Sequence, residues 1–471
     1  MAFQLWEICL AAFGSAWLGI LIYRATFAPL SKLPGPWYSL FSDVFLMYKE
    51  FSGHRRVYIH ELHKRFGPVV RLGPNEVAFT SLEALKEIYQ SGGSGYDKTE
   101  FYDLFVQYDI RATFSTLQKR EHDQRKRYIA GSYANTSIMH PDSFDGIQER
   151  ANAFLRQCED AKGQAIDFYD HLHCFAMDCA TFHLLHPHGT KSIEGRDINL
   201  MIEYSYAKLR RYRWPTLTRW LERIFHKETA SQIGQYVIKA CEQPDSGDHS
   251  LAYSLKNCNA QFSQAQVAAE VMNHLAAGID TTGDALCFLI YQLSQPGSYA
   301  IQQKLIAELS SNGDGALDDL PYLEAVIKEG LRCFPPIPMS QPRYVPSGGR
   351  IIDGYFIPGR TIVSCQAWSV HQLNPDIYDQ GDKFIPERWL DAKANPQMGR
   401  LFFSFSAGGR SCTGRHLAML EMKCLLRNLY SRYRTKIAPE MRGSMELYDQ
   451  CISTRPTDQT CLITLEPIQR L

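Results

Sequence analysis

The chain opens on an apolar run, "LWEICLAAFGSAWLGILIY" from Leu5 to Tyr23, with one charge, Glu7, near its outer end. As a helix this run is about 28 Å long, close to the hydrocarbon thickness of a bilayer. No basic residue precedes it, and Arg24 and Lys32 follow it. That pattern favours an uncleaved anchor over a signal peptide and puts the rest of the chain on the cytoplasmic side. The prolines of "LPGPW" at 33–37 then forbid helix and make a stiff connector. Beyond it, apolar residues recur at helical spacing from about 81 to 333, whereas strand-and-turn signals cluster at 67–80 and 340–366. Neither an internal repeat nor a second linker divides this part. The pattern predicts one mainly α domain with a smaller β lobe.

Within the helical part, Ser263 and Gln266 have capping-box spacing at the head of a pattern that runs to about Leu293, where Pro296-Gly297 stops it. Such a rod crosses the whole domain. Its middle, "AAGIDTTGD", packs poor helix formers into one turn: Gly278, Asp280, Thr281, Thr282 and Gly283. Threonine hydroxyls there can bond back to carbonyls one turn earlier and bend the helix, although a tolerated run of small polar residues fits equally well. A second helix, "DDLPYLEAVIKEGLRCFPP", is entered through Asp318-Asp319 and ends before Pro335-Pro336. It puts Glu329 and Arg332 on one face, and Arg388 of "FIPERW" can add a second guanidinium to the same carboxylate.

Composition narrows what this domain does. With 471 residues, 45% of them hydrophobic, the chain buries a large core, and its zero formal net charge gives no overall field for nucleic acid. The 13 cysteines are scattered without a CxxC pair, which argues against a disulfide framework or a zinc ribbon. One of them differs from the rest. In "FSFSAGGRSCTGRHLA" Cys412 lies in a glycine-rich turn just ahead of a helical pattern, where unpaired amides and the helix dipole favour a thiolate.

These stretches resemble the cytochrome P-450 family of membrane-anchored haem-thiolate monooxygenases. "FSAGGRSCTG" matches F-x-x-G-x-R-x-C-x-G at Phe405, Gly408, Arg410, Cys412 and Gly414; "EGLRCFP" matches E-x-x-R-x-x-P; "PERW" and "AGIDTT" match two further family motifs, all in the family's order. The resemblance implies a cytochrome P-450 fold behind one transmembrane helix, with an anchor at 1–24, a proline-rich hinge at 25–40 and a catalytic domain at 41–471. It implies haem b with Cys412 as the axial ligand to iron, Phe405, Gly408 and Gly414 around the sulfur, and Arg410 and Arg343 on the propionates. Glu329, Arg332 and Arg388 become a structural network, and Asp280 and Thr281 a proton relay. Where many relatives carry tryptophan and arginine over the propionates, "EHDQRKR" offers His122 and Lys126, which a solvated basic face explains as readily.

The resemblance also implies electrons from NADPH through a cytochrome P-450 reductase, with cytochrome b5 as an optional donor, and single-pass residence in the endoplasmic reticulum membrane with the domain in the cytosol. Lys119, Arg120, Arg125, Lys126 and Arg127, with Arg415 and Lys423, are expected to form the docking face for that acidic reductase. The substrate lining is expected near 97–117, near 200–225, around Ala276 and Ala277 and after Pro336, which suits a small lipophilic molecule. "RRYRWPTLTRW" at 210–220 is a candidate for lipid-headgroup contact beside it. "LPGPW" and "HDQRKR" are similar to filamentous-fungal members, pointing to a tailoring step in secondary metabolism. An isomerase or dehydratase on the same fold, and a non-catalytic haem sensor, remain open alternatives.

Overall fold

The long central helix forms because its start is chemically closed. Ser263 Oγ accepts from the Gln266 amide at 3.3 Å, and Gln266 Oε1 accepts from the Ser263 amide at 2.8 Å, so the predicted capping box is present at the head of Gln264–Ser294. In this computed structural model, residues 2–90, 95–203, 231–313, 315–391 and 395–468 are described. The central helix runs unbroken through "AAGIDTTGD", and Phe168–Leu185 packs along it. Around that pair lie Pro141–Asp160, Gln232–Glu242, Pro321–Cys333 and Arg415–Tyr430, which enclose the larger apolar core.

The β lobe is built on a five-stranded sheet in the order Val69–Gly73, Glu76–Phe79, Ile362–Cys365, Arg343–Tyr344, Asp97–Lys98. Glu76–Phe79 runs parallel to Ile362–Cys365, and the other pairings are antiparallel. The strand signals at 67–80 and 340–366 are therefore correct, including the hairpin Arg350–Ile352 with Tyr355–Ile357 around Asp353-Gly354. The connector does not stand free of this lobe. Buried Arg71 donates to the carbonyls of Leu30, Leu33 and Pro36 at 3.0, 2.8 and 3.0 Å, so the strand holds the hinge by its backbone.

The helix entered through Asp318-Asp319 has Pro321 in its first turn, as expected, and Glu308 caps it from outside: its carboxylate accepts from the amides of Tyr322 and Leu323 at 2.7 and 2.8 Å. The apolar run does form a helix, Ala2–Thr26, but among the described residues no helix is long and apolar enough to cross a membrane. The side chains described over the second half of the expected span, 12–23, cover only about 18 Å of helix; those of residues 5 and 7–11 lie outside the described residues.

Candidate haem-thiolate site

Cys412 is held by a loop that only glycine can shape. At Gly408 the backbone φ is +67°, and a Cβ there would stand 2.0 Å from the Tyr89 carbonyl oxygen, so any side chain is excluded twice over. The loop then turns back on itself, the Cys412 amide donating to the Phe405 carbonyl at 2.8 Å, before Arg415–Tyr430 begins. Among the described cysteines Cys412 alone is exposed. Desolvation by the surrounding protein nonetheless raises the thiol pKa, outweighing the Gly414 amide that donates to the sulfur and the charges of Lys126 and Arg415. The expected preference for thiolate is thus not supplied by the loop alone. A coordinated metal cation would supply it, since ligation deprotonates a thiol outright.

Beside this loop the fold gathers positive charge. Lys98 and Arg343 are direct partners across the antiparallel pair Asp97–Lys98 and Arg343–Tyr344, and both are buried. Like charges directly opposite each other destabilise a sheet unless an anion sits between or beside them. Arg410, with a side chain 6% exposed, and buried His122 join them. The guanidinium of Arg410 donates to the Leu117 carbonyl at 2.9 Å and approaches Asp97 at 3.5 Å, while its Nε is buried without a hydrogen-bond partner.

The electrostatic consequences agree. Burial, then Arg343, Arg410 and Lys126, push the Lys98 ammonium well below its ordinary pKa. Burial, then Arg343, lowers Arg410 to about 10, and burial, then Lys98 and Arg410, takes His122 to about 3. A buried cluster of basic groups that disfavour one another's charge, with an orphaned donor, is what a dianionic group would stabilise. The porphyrin carboxylates of haem have that chemistry, and the residues fit it.

The other named residues fall in three places. Lys126 donates to the carbonyls of Gly409 and Ser411 at 2.9 and 3.3 Å, so its ammonium fastens the cysteine loop. Arg343 also donates to the Tyr102 hydroxyl at 2.7 Å. Glu329, fully buried, accepts from Arg332 Nε and Nη2 at 2.8 Å each, from Arg388 Nε at 3.0 Å, from Trp389 Nε1 at 2.9 Å and from the Ile385 amide at 2.8 Å. The expected network is therefore present and gains a tryptophan.

In the central helix, Ala277 is exposed and Ala276, Gly278 and Thr281 are half-buried although their neighbours on either side are buried, so one short face opens on a cleft. Thr281 Oγ1 donates to the Ala277 carbonyl at 2.7 Å, the back-bond its sequence suggested. Asp280 is buried, with Arg455 close enough to feel its charge. Thr282 donates to Glu421 Oε2 at 3.1 Å.

One expectation about surfaces is altered. Lys423 is buried and paired with Glu324 and Asp318 at 3.1 and 3.4 Å, so it is not part of an exposed basic face. Arg120, Arg127 and Arg415 are exposed, and Lys119, Arg125 and Lys126 half-buried. In the loop at 97–117, Tyr102, Phe105 and Phe114 pack edge-on and tilted against one another, and Lys98 Nζ lies 4.5 and 4.4 Å from the Tyr102 and Phe114 rings. The "RRYRWPTLTRW" stretch and most of the region near 200–225 lie outside the described residues.

A glycine-framed cysteine beside a buried cluster suited to carboxylates defines a haem-thiolate protein. The comparisons agree: residues 33–462 match the sequence profile of the cytochrome P-450 family, and the chain belongs to that family. Its members carry haem iron and draw electrons from a redox partner. Among curated relatives, the chain is 30% identical to the cytochrome P-450 monooxygenase stcB of Emericella nidulans, over 94% of this chain and 89% of the relative. It is 28% identical to a pisatin demethylase of Fusarium vanettenii, over 95% and 90%, and 27% identical to the monooxygenase aflV of Aspergillus parasiticus, over 96% of each.

Proposed function

We propose that this cytochrome P-450 inserts one oxygen atom from dioxygen into a small lipophilic substrate, as a tailoring step in fungal secondary metabolism. The observation that carries the reading is the pairing of Cys412 on its glycine loop with the buried cluster Lys98, Arg343, Arg410 and His122. Haem held there supplies oxygen activation, and the protein supplies everything around it. Cys412 binds the iron. The cationic cluster holds the propionates, and Lys126 keeps the loop in place. Thr281 and Asp280 hold and renew a proton at the open face of the central helix, while the apolar helix face limits water. Names of relatives such as stcB, aflV and pisatin demethylase support oxidation of a specialised metabolite.

The reading extends to NADPH as electron source, through a reductase, with cytochrome b5 as a secondary donor, and to attachment at the endoplasmic reticulum membrane with the domain in the cytosol. Exposed apolar side chains on the first helix, among them Phe13, Trp17, Leu18, Ile20 and Ile22, support that attachment. The test is spectroscopic and catalytic. Wild type is expected to give the strongly red-shifted Soret band of a thiolate-ligated ferrous carbonyl complex, and Cys412→Ser to lose it. Persistence of the band in the variant would make another cysteine the ligand. Product formed without NADPH consumption would replace oxygen insertion by an isomerisation or dehydration.

A further inference from the structure

On the face of the protein formed by the start of Pro141–Asp160 and the turn before Leu251–Lys256, two imidazoles and a carboxylate converge. His249 Nε2 lies 3.2 Å and His140 Nδ1 3.6 Å from the same oxygen, Oδ2 of Asp142, and the three ligating atoms lie within 4.8 Å of one another. We infer that His140, Asp142 and His249 form a binding site for a divalent transition-metal ion of the zinc class.

The distances match the spacing of ligands around a metal. Bonds of about 2.0–2.2 Å at tetrahedral angles place neighbouring donor atoms about 3.3–3.5 Å apart, and the two imidazole-to-carboxylate separations, 3.2 and 3.6 Å, lie just either side of that range. The 3.6 Å separation is already beyond hydrogen-bond reach. The donor set also selects the ion: two imidazole nitrogens and one carboxylate suit zinc, nickel or copper, whereas calcium and magnesium take oxygen ligands. Water fills the remaining position, as it does wherever only three protein ligands are present.

The ligands come from distant parts of the chain, yet each is fixed by its backbone. His140 is the cap residue of Pro141–Asp160, its carbonyl accepting from the Phe144 amide at 2.9 Å, and Pro141 sets the direction of the first turn. His249 sits between Gly247, whose amide donates to the His186 carbonyl at 2.7 Å, and Ser250, which caps Leu251–Lys256. A Cβ on Gly247 would meet His186 Cδ2 at 2.5 Å, so the turn approaches as closely as it does because that residue has no side chain. The two imidazoles consequently lie close, centroids 4.4 Å apart and planes tilted by 32°. Asp145, Glu149 and Asp248 line the adjoining cleft of about 530 Å³ with Asp142, adding negative charge that draws in a cation. A metal here ties the helix Pro141–Asp160 to the turn that follows Gln232–Glu242, far along the chain from the cysteine loop.

The experiment titrates the haem-loaded full chain with zinc chloride by isothermal calorimetry, alongside His140→Ala, His249→Ala and Asp142→Asn. One zinc per wild-type chain is expected, with affinity falling more than tenfold in each variant, since even loss of a group that merely orients a ligand costs about 10–100-fold. Zinc should raise the thermal midpoint of the wild type and leave the double variant His140→Ala/His249→Ala unmoved, with the haem spectrum unchanged in both. No stoichiometric binding to wild type, equal binding by the double variant, or tighter binding of calcium than of zinc would each overturn the site. Because the readout is zinc itself, this result is independent of the proposed oxygenase activity.

Discussion

Arg388 and Glu329 meet 59 residues apart in sequence, the Nε of one 3.0 Å from the Oε1 of the other. Arg332, which shares the carboxylate, also donates to the Gly381 and Lys383 carbonyls at 2.6 and 2.7 Å, so a buried ion group holds the segment that leads into the cysteine loop. Removing Glu329 leaves the fully buried Arg332 without its counterion. Glu329→Ala is expected to destabilise by about 3–5 kcal/mol and to yield mostly haem-free protein. Arg388→Ala, which deletes the charged hydrogen bond to Glu329 together with those to the Asp379 and Gln380 carbonyls but leaves Arg332 its counterion, should cost less, about 1.5–3 kcal/mol. Denaturant titration ranks the two, and equal small losses would reduce the network to a surface ion pair.

Gly408→Ala tests the cysteine loop with a single methyl. The new Cβ collides with the Tyr89 backbone and adopts an unfavourable φ, so the loop must move. Reduced haem retention and a weaker thiolate signature at near-normal helical content are the expected outcome. Circular dichroism and the carbon monoxide difference spectrum measure the two separately; an unchanged spectrum would mean that the loop tolerates the shift.

Thr281→Ala separates proton handling from structure. A merely structural hydroxyl, spent on Ala277, predicts a loss on the order of 1 kcal/mol and unchanged product per NADPH. A proton-holding hydroxyl predicts intact haem content with reducing equivalents diverted to hydrogen peroxide, and Asp280→Asn should slow turnover with altered pH dependence. Product and peroxide per NADPH decide between them.

Glu421 predicts a pH dependence of stability. Burial raises its carboxyl to about 8, against an ordinary value of 4.5, with Thr282 the only opposing partner. The folded state therefore holds a proton that the unfolded state has released between those values. Stability is full below pH 4.5, falls as pH rises, and levels off above 8, with a slope of at most about 1.4 kcal/mol per pH unit. Glu421→Gln should flatten that region in denaturant titrations across pH. A slope that survives the substitution belongs to another group.

The basic face is the fifth test, revised by where the structure puts Lys423. Reversing the exposed Arg120 and Arg415 to glutamate should slow the first electron most at low ionic strength, where screening is weakest. A rate unchanged from low to high salt would remove that face as the docking surface. Reversal of Lys423 should instead destabilise, since it would place a third carboxylate against Glu324 and Asp318.

What could be read from the sequence is local. The cysteine loop, the capping box and the Glu329–Arg332 pair are set by residues within a few turns of one another, and each appears where the spacing put it. Lys98 was not legible. It stands in an unremarkable "YDKTEF", and acquires its role only when cross-strand register sets it opposite Arg343. Lys423 misleads for the same reason: its neighbours in sequence, Met422 and Cys424, do not show its partners, Asp318 and Glu324, which come from the turn Leu317–Asp319 and the helix Pro321–Cys333. The convergence of Cys412 with the cation cluster likewise depends on a sheet joining residues 97–98 to 343–344, which no local pattern encodes.

The last strand, Leu462–Pro467, pairs with both Ile166–Asp167 and Tyr433–Ile437, and the Asp167 carboxylate accepts from the Thr460 hydroxyl and the Cys461 amide. Such a seam cannot close before Leu462–Pro467 has been made. The helices around residue 168 must therefore wait, partly assembled, for a strand synthesised long after them. A stop codon just ahead of this strand would leave the cysteine loop encoded in full, yet the protein would lack the strand that locks one end of its helical core.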